Sequence, residues 1–268
     1  MDYKLIAVDL DGTLLNSKKE ISPRNRYALL EAQAQGKRVV IASGRHPIGV
    51  LPIAGDLMLE RYGGFIMSFN GGIIIDCRTG KTVAGKLFPK EFLGDIISVL
   101  KGTNVTVMTF DSQKIYADNK VNDYTFIERE VLKTDMIVLD DFVSGIKFDI
   151  HKLLLAGEPD ELNRCQEMLK RRYDGLLEIY KSAPYYLELM PFGVSKGSML
   201  PGLLENIGVS REELLAFGDS FNDLTMIGYA GMGVAMDNAD PEVKRISNFV
   251  CESNDDDGVA RFIEKYVL

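Results

Sequence analysis

The sequence predicts an α/β protein in which a parallel sheet, covered by helices on both faces, is interrupted by an inserted α+β domain. Three observations predict it. Short, uniformly apolar strands alternate with helices in the first 83 residues and again after residue 190, as in parallel sheets buried on both sides. Between residues 84 and 190 the strands instead alternate in polarity or arrive in pairs, the habit of antiparallel strands. Several outer strands finish in polar residues and glycine, and ligands of open parallel sheets bind beyond those strand ends. Residues 1–83 with 191–268 are therefore read as one domain, and residues 84–190 as a second.

The outer elements follow in order. Residues 4 to 8, KLIAV, form the first strand. SPRNRYALLEAQAQG is a helix with Ser22 as N-cap, Pro23 in its first turn and Gly36 as its stop. RVVIASGR and FIMSFNGG supply two more strands that end in small polar residues. After the insertion, LLAFGDS, MGVAM and NFVC are strands, separated by the helices NDLTMIGYAG and DPEVKRIS. In the insertion, VTVMTF and KIYAD are joined by DSQ, and LLEIYKS and YYLELM by APY, lengths suited to hairpins. Two helices, KEFLGDIISVLKG and PDELNRCQEMLKRRYDG, accompany them. Pro52 and Pro201 should each kink or break a helix, and Gly94 weakens another. Asp255, Asp256 and Asp257 are expected to cap the final helix, GVARFIEKYV.

The chain has 268 residues, 46% hydrophobic and 26% charged, with a net charge of -8. That is ordinary globular composition, and the acidic balance argues against a broad nucleic-acid or acidic-membrane surface. The N-terminus enters a strand at once, without the look of a signal peptide. No apolar run approaches the roughly 18 residues of a membrane span. Cys77, Cys165 and Cys251 are odd in number and scattered, indicating neither a disulfide framework nor a zinc site. A cytoplasmic protein is the expectation.

The polar residues at the strand ends carry the chemistry. They are Asp9 and Asp11 in KLIAVDLDGTLL, Ser43, Gly44 and Arg45 in ASGR, and Asp219, Asn222 and Asp223 in GDSFND. Lys196 opens the helix before the fourth of these strands. Carboxylates gathered in one crevice require a cation, and oxygen donors without His or Cys suit Mg²⁺. A hydroxyl, a lysine and backbone amides suit a phosphate. Asp9 is ionised at neutral pH by its ordinary pKa and can attack phosphorus directly. Asp11 would give a proton to the leaving alcohol and then take one from water. Crowding against Asp9 is expected to raise one of the two pKa values in support of that role.

DLDGT, ASGR, Lys196 and GDSFND, in this order, resemble the four motifs of the haloacid dehalogenase superfamily of phosphohydrolases, from residue 9 to residue 223. The resemblance implies a Rossmann-like core, Asp9 as nucleophile and Asp11 as general acid/base. It implies Mg²⁺ held by Asp9, Asp219 and the Asp11 backbone carbonyl, with Asp223 supporting the lysine or metal-bound water. Ser43 and Lys196 would hold the phosphoryl group, with Asn222 beside it and Gly44 and Arg45 in the substrate-binding loop. Residues 46 to 195 leave room for a cap, and its paired strands, with FNGG at residues 69 to 72, are similar to the type IIB, Cof-type phosphatases. The implied substrates are sugar phosphates and other small phosphorylated metabolites, with no nucleic acid or membrane partner and a monomeric or homodimeric state.

Rival readings differ in observable ways. A phosphohexomutase would return the phosphoryl group to sugar and release no inorganic phosphate. A phosphatase restricted to a carrier-sugar phosphate would fail on most of a substrate panel. A non-catalytic phosphate-binding regulator would bind without turnover. Arg45 is expected to face substrate, whereas Asn70 is read equally as a left-handed turn residue or a site residue. His46 and His151 are read as structural, and Met190 and Phe192 as candidate pocket lining.

Overall fold

The computed structural model describes residues 2–268. The chain divides into two compact units, residues 1–85 with 195–268, and residues 86–194. The first unit begins with β1 (Leu5–Val8), followed by α1 (Pro23–Ala34), β2 (Arg38–Ala42), α2 (Pro47–Asp56), α3 (Leu59–Tyr62) and β3 (Phe65–Ser68). Ser22 caps α1 by accepting from the Asn25 amide, with Pro23 at the first position. Pro52 does not break its helix: α2 runs through it and ends at Asp56, and Met58 turns the chain at a positive φ of 52°. Pro52 is exposed, so water can satisfy the carbonyl its missing N–H leaves unbonded. Two strands that the sequence reading passed over, β4 (Ile73–Asp76) and β5 (Thr82–Gly85), then add an antiparallel margin to the sheet.

The second unit contains α4 (Leu93–Val99), β6 (Thr106–Phe110), β7 (Ile115–Asp118), α5 (Asp123–Leu132), β8 (Met136–Leu139) and α6 (Phe142–Gly145). It continues with β9 (Leu153–Ala156), α7 (Pro159–Arg172), β10 (Leu177–Ala183) and β11 (Tyr186–Pro191). Its sheet order is β10-β11-β9-β6-β7-β8. Both expected hairpins form, β6 with β7 and β10 with β11. Val107, Leu153, Leu155, Ile179, Leu187 and Leu189 project from alternate positions into one cluster with Leu93, Ile96, Leu162 and Leu169 from α4 and α7. That alternation is what lets helices cover one sheet face.

The chain re-enters the first unit through α8 (Lys196–Ile207), β12 (Leu214–Gly218), α9 (Leu224–Tyr229), β13 (Met232–Ala235), α10 (Pro241–Ile246), β14 (Phe249–Val250) and α11 (Gly258–Tyr266). The sheet order is β14-β13-β12-β1-β2-β3-β4-β5, parallel from β14 to β3. Pro201 lies on the exposed side of α8 without interrupting it. Asp257 stands at the N-cap position of α11, but none of the three aspartates caps the helix with its side chain: Asp255 accepts from Ser17, Asp256 from Ser253 and Asp257 from Ser22. Asp255 and Asp257 tie the start of the last helix to the loop before α1, while Asp256 bonds within its own turn. Among the described residues no helix is long and apolar enough to cross a membrane.

Candidate active site

Register brings the first motif residues together. Val8 lies level with Phe217 on one side and Ile41 on the other. The chain positions just beyond these, Asp9, Ser43 and Asp219, therefore leave three adjacent parallel strands at the same edge. The Asp9 amide donates to the Phe217 carbonyl at 3.1 Å, extending the ladder to the first carboxylate. Lys196 is the first residue of α8, set by Ser195, whose side chain accepts from the Ser198 amide while Ser198 bonds back. Gly197 then meets α9 so closely that a Cβ there would sit 2.2 Å from the Thr225 carbonyl oxygen. Glycine at that position is what lets α8 deliver the lysine inward.

Lys196 is fully buried, and its Nζ donates to Asp9 Oδ1 and Asp223 Oδ1, both at 2.6 Å. Asp223 is equally buried, and its Oδ2 accepts from the amides of Asp219 and Ser220 at 3.0 Å. Asp223 thus braces both the lysine and the turn that carries Asp219. Thr13 Oγ1, also buried, donates to Asp219 Oδ1 at 2.6 Å. Carboxylate oxygens of Asp9, Asp219 and Asp223 all lie within 4.8 Å of one another. Three carboxylates share one ammonium there. Burial drives the Asp9 carboxyl up to about 8, with Asp223 and Asp219 adding to the rise and Lys196 opposing it. Burial likewise pushes Asp219 up to about 6, against the Thr13 hydrogen bond. Lys196 keeps its proton because Asp9 and Asp223 outweigh the cost of its burial. A site of hard oxygen donors short of positive charge fits Mg²⁺.

Asp11 departs from expectation. Its carboxylate is gripped by Arg45, with Nε to Oδ2 at 2.8 Å and Nη2 to Oδ1 at 2.7 Å, and by Lys19 at 2.9 Å. Burial raises its pKa, but the bonds from Arg45 and Lys19 together outweigh that and leave it below the ordinary value. Burial, with Asp223 and Asp219 nearby, therefore raises Asp9 above the ordinary value expected of it, while Arg45 and Lys19 hold Asp11 down. Arg45, expected to face substrate, is engaged by Asp11 here. Lys19 gave no sequence signal: it lies outside every motif and arrives through a turn at a positive φ of 63°.

The remaining predicted residues lie along the same edge. Ser43 is buried and its Oγ accepts from the Arg45 amide at 3.1 Å. Asn222 lies in the single turn after β12 and donates from Nδ2 to Asn70 Oδ1 at 3.0 Å. Gly44 faces the same Asn70 amide, 3.1 Å from where a Cβ would be. His46 caps α2, its Nδ1 accepting from the Ile48 amide. His151 Nδ1 lies 3.2 Å from the Lys86 carbonyl within the inserted unit. Two supports were not read from the sequence, Thr13 on Asp219 and Asn238, whose Nδ2 donates to the Gly12 carbonyl at 2.8 Å. Thr13 could have been suspected from its place in DLDGT; Asn238 could not, since only the fold brings residue 238 to residue 12.

The sequence model of the haloacid dehalogenase-like hydrolases matches residues 6–263. The chain belongs to that family. The 5-amino-6-(5-phospho-D-ribitylamino)uracil phosphatase YcsE of Bacillus subtilis is 33% identical, covering 100% of this chain and 97% of its own. Among solved structures, a haloacid dehalogenase-like hydrolase from Bacteroides thetaiotaomicron superposes with a TM-score of 0.93 at 41% identity, covering 98% of this chain and 99% of its own. The HAD subclass IIB sugar phosphatase BT4131 shares the fold, with a TM-score of 0.80 at 21% identity over 98% of both chains. This haloacid dehalogenase-family hydrolase is thus a phosphatase-type enzyme, with the α/β core and inserted domain of that fold.

Proposed function

We propose that this enzyme hydrolyses small phosphomonoesters, sugar phosphates foremost, with Mg²⁺ and through an aspartyl-phosphate on Asp9. One observation carries the reading. Asp9, on the rim of the parallel sheet, shares Lys196 with Asp223 at 2.6 Å and has carboxylate oxygens of Asp219 and Asp223 within 4.8 Å. A nucleophilic carboxylate, a buried ammonium and a set of hard oxygen donors are what phosphoryl transfer to an aspartate needs.

Asp9 and Asp219 would hold Mg²⁺, with the Asp11 backbone carbonyl, while Asp223 keeps the lysine in place. The cation, when bound, supplies the positive charge that favours the ionised Asp9 and offsets the charge of the phosphoryl group. Asp9 attacks phosphorus, the bond to the ester oxygen breaks, and Asp11 protonates the departing alcohol. Water then attacks phosphorus, the Asp9–phosphorus bond breaks, and Asp11 takes the water's proton. The ionised Asp11 held by Arg45 and Lys19 is the form that the second step uses. In the first step Arg45 exchanges Asp11 for the anionic substrate, which releases Asp11 to carry a proton. Ser43, Gly44 and Asn222 line the phosphoryl-binding rim. The inserted unit, residues 86–194, selects the alcohol.

The test is a phosphate-release screen over several dozen phosphomonoesters with Mg²⁺, with acid-quench trapping of protein-bound phosphate. Asp9→Asn should abolish both turnover and trapped phosphate while keeping the fold. Turnover at the parental rate in that variant, or full activity in excess chelator, overturns the reading.

A further inference from the structure

The turn after β3 is a strained segment that the mechanism above leaves unused. Phe69, Asn70 and Gly71 have φ values of 53°, 53° and 102°, three successive left-handed residues. A non-glycine residue in that region costs roughly 1–2 kcal/mol, and such strain persists only where the surroundings enforce it. The surroundings here are the phosphoryl-binding segments. The Phe69 amide donates to the Arg45 carbonyl at 3.2 Å and the Asn70 amide to the Ser43 carbonyl at 3.0 Å. Gly71 passes so near the cap of α8 that a Cβ would lie 2.5 Å from the Ser195 carbonyl oxygen. The turn therefore lies against the ends of β2 and α8 at once. From its middle the buried Asn70 side chain reaches the third segment, accepting from Asn222 Nδ2 at 3.0 Å.

We propose that Asn70 is the positioning residue for Asn222: its amide oxygen fixes the Asn222 amide so that the second N–H of Nδ2 is presented to a phosphoryl oxygen. The inference rests on the phosphatase reading and adds to it a residue that acts through another. Residue chemistry supports the choice. Asn222 stands exposed at the tip of a single turn, where a free amide would sample several rotamers and lose entropy on binding. A side-chain oxygen that already takes one N–H removes that freedom. Glycine would accept the left-handed backbone but offers no acceptor. Aspartate would offer both, yet adds a negative charge beside the anion to be bound. Asparagine alone combines tolerance of positive φ, a neutral acceptor and a side chain short enough to stay over Gly44.

The test is a double-mutant cycle on the Mg²⁺-loaded full chain. Its readouts are kcat/KM for p-nitrophenyl phosphate and the inhibition constant of inorganic phosphate. Asn70→Gly keeps the turn conformation and should weaken phosphate inhibition about tenfold, mainly through KM, with Tm within about 2 °C of the parent. Asn222→Ala should lose a similar factor, and the double variant no more than Asn222→Ala alone, because the first residue acts only through the second. Additive losses, or parental kinetics in Asn70→Gly, overturn the inference. If Asn70→Gly does not fold, the ¹⁵N-labelled parent decides. Its Asn222 side-chain amide protons, assigned by their disappearance in Asn222→Ala, should shift saturably with inorganic phosphate, and unmoved signals at inhibitory phosphate overturn the inference. A parent protein without phosphatase activity would sink the functional reading. An active parent with additive variants sinks only the role of Asn70.

Discussion

Replacing Lys196 by methionine tests the electrostatic centre of the molecule. The ammonium is fully buried and touches two carboxylates at 2.6 Å. At an effective dielectric constant of about 20, each contact is worth about 6 kcal/mol before desolvation. Desolvating the three groups cancels most of that in the intact protein. Removing the ammonium leaves the Asp223 carboxylate buried without its counter-charge, while Asp9, already raised to about 8, is held as the neutral acid. Losing one partner of such a pair costs about 3–5 kcal/mol. At roughly 2–4 °C of Tm per kcal/mol for a chain of this size, Lys196→Met should melt about 10 °C below the parent. Thermal unfolding followed by circular dichroism at pH 7 without divalent cations reads this directly. Lys196→Met combined with Asp223→Asn should recover part of the loss, since the stranded charge is then gone. A fall of less than about 2 °C, or a double variant no more stable than the single one, would refute the view that this lysine neutralises the cluster.

Further outcomes follow from other positions. Gly12→Ala should cost at least tenfold in kcat/KM, because its φ is +85° and a Cβ would meet Asp219 Oδ2 at 2.4 Å; parental kinetics would contradict that packing. Ser68→Ala should be neutral or stabilising by up to about 1 kcal/mol in urea unfolding, since the buried hydroxyl has no hydrogen-bond partner among the described residues. A clear loss of stability would reveal a partner. In the inserted unit, burial raises the Asp118 carboxyl above its ordinary 3.8, despite bonds from the Lys120 and Val107 amides. The folded state thus binds that proton more tightly than the unfolded chain. The stability it contributes is complete below the unfolded value and is lost as pH rises through the folded one. Asp118→Asn should therefore gain on the parent in Tm between pH 4 and pH 7, and a constant or shrinking gap would contradict the sign.

Signals that act within a few residues were legible in the sequence. The Ser22 cap and Pro23 start α1, and loops of four and two residues close the two hairpins of the inserted unit. The apolar runs at β1, β2 and β12 need burial on both faces, which only a covered parallel sheet supplies. The β4–β5 margin carries little signal because each of its strands is only four residues long and β4 follows β3 across a single three-residue turn. Asp257 holds the N-cap position of α11, but its side chain and that of Asp255 are taken by serines of the N-terminal loop, which is remote in sequence, and Asp256 is taken by Ser253.

Residue types and their order determined the candidate site: carboxylates and a hydroxyl at strand ends and a lysine at a helix start, without histidine or cysteine. Tertiary structure alone decided which carboxylate carries the raised pKa. Asp9 and Asp11 are two residues apart and chemically alike, so sequence cannot rank them. The strand directs Asp9 into the interior beside Asp219 and Asp223, while the loop turns Asp11 outward to Arg45 and Lys19. Proton affinity follows surroundings, and surroundings are set by the fold.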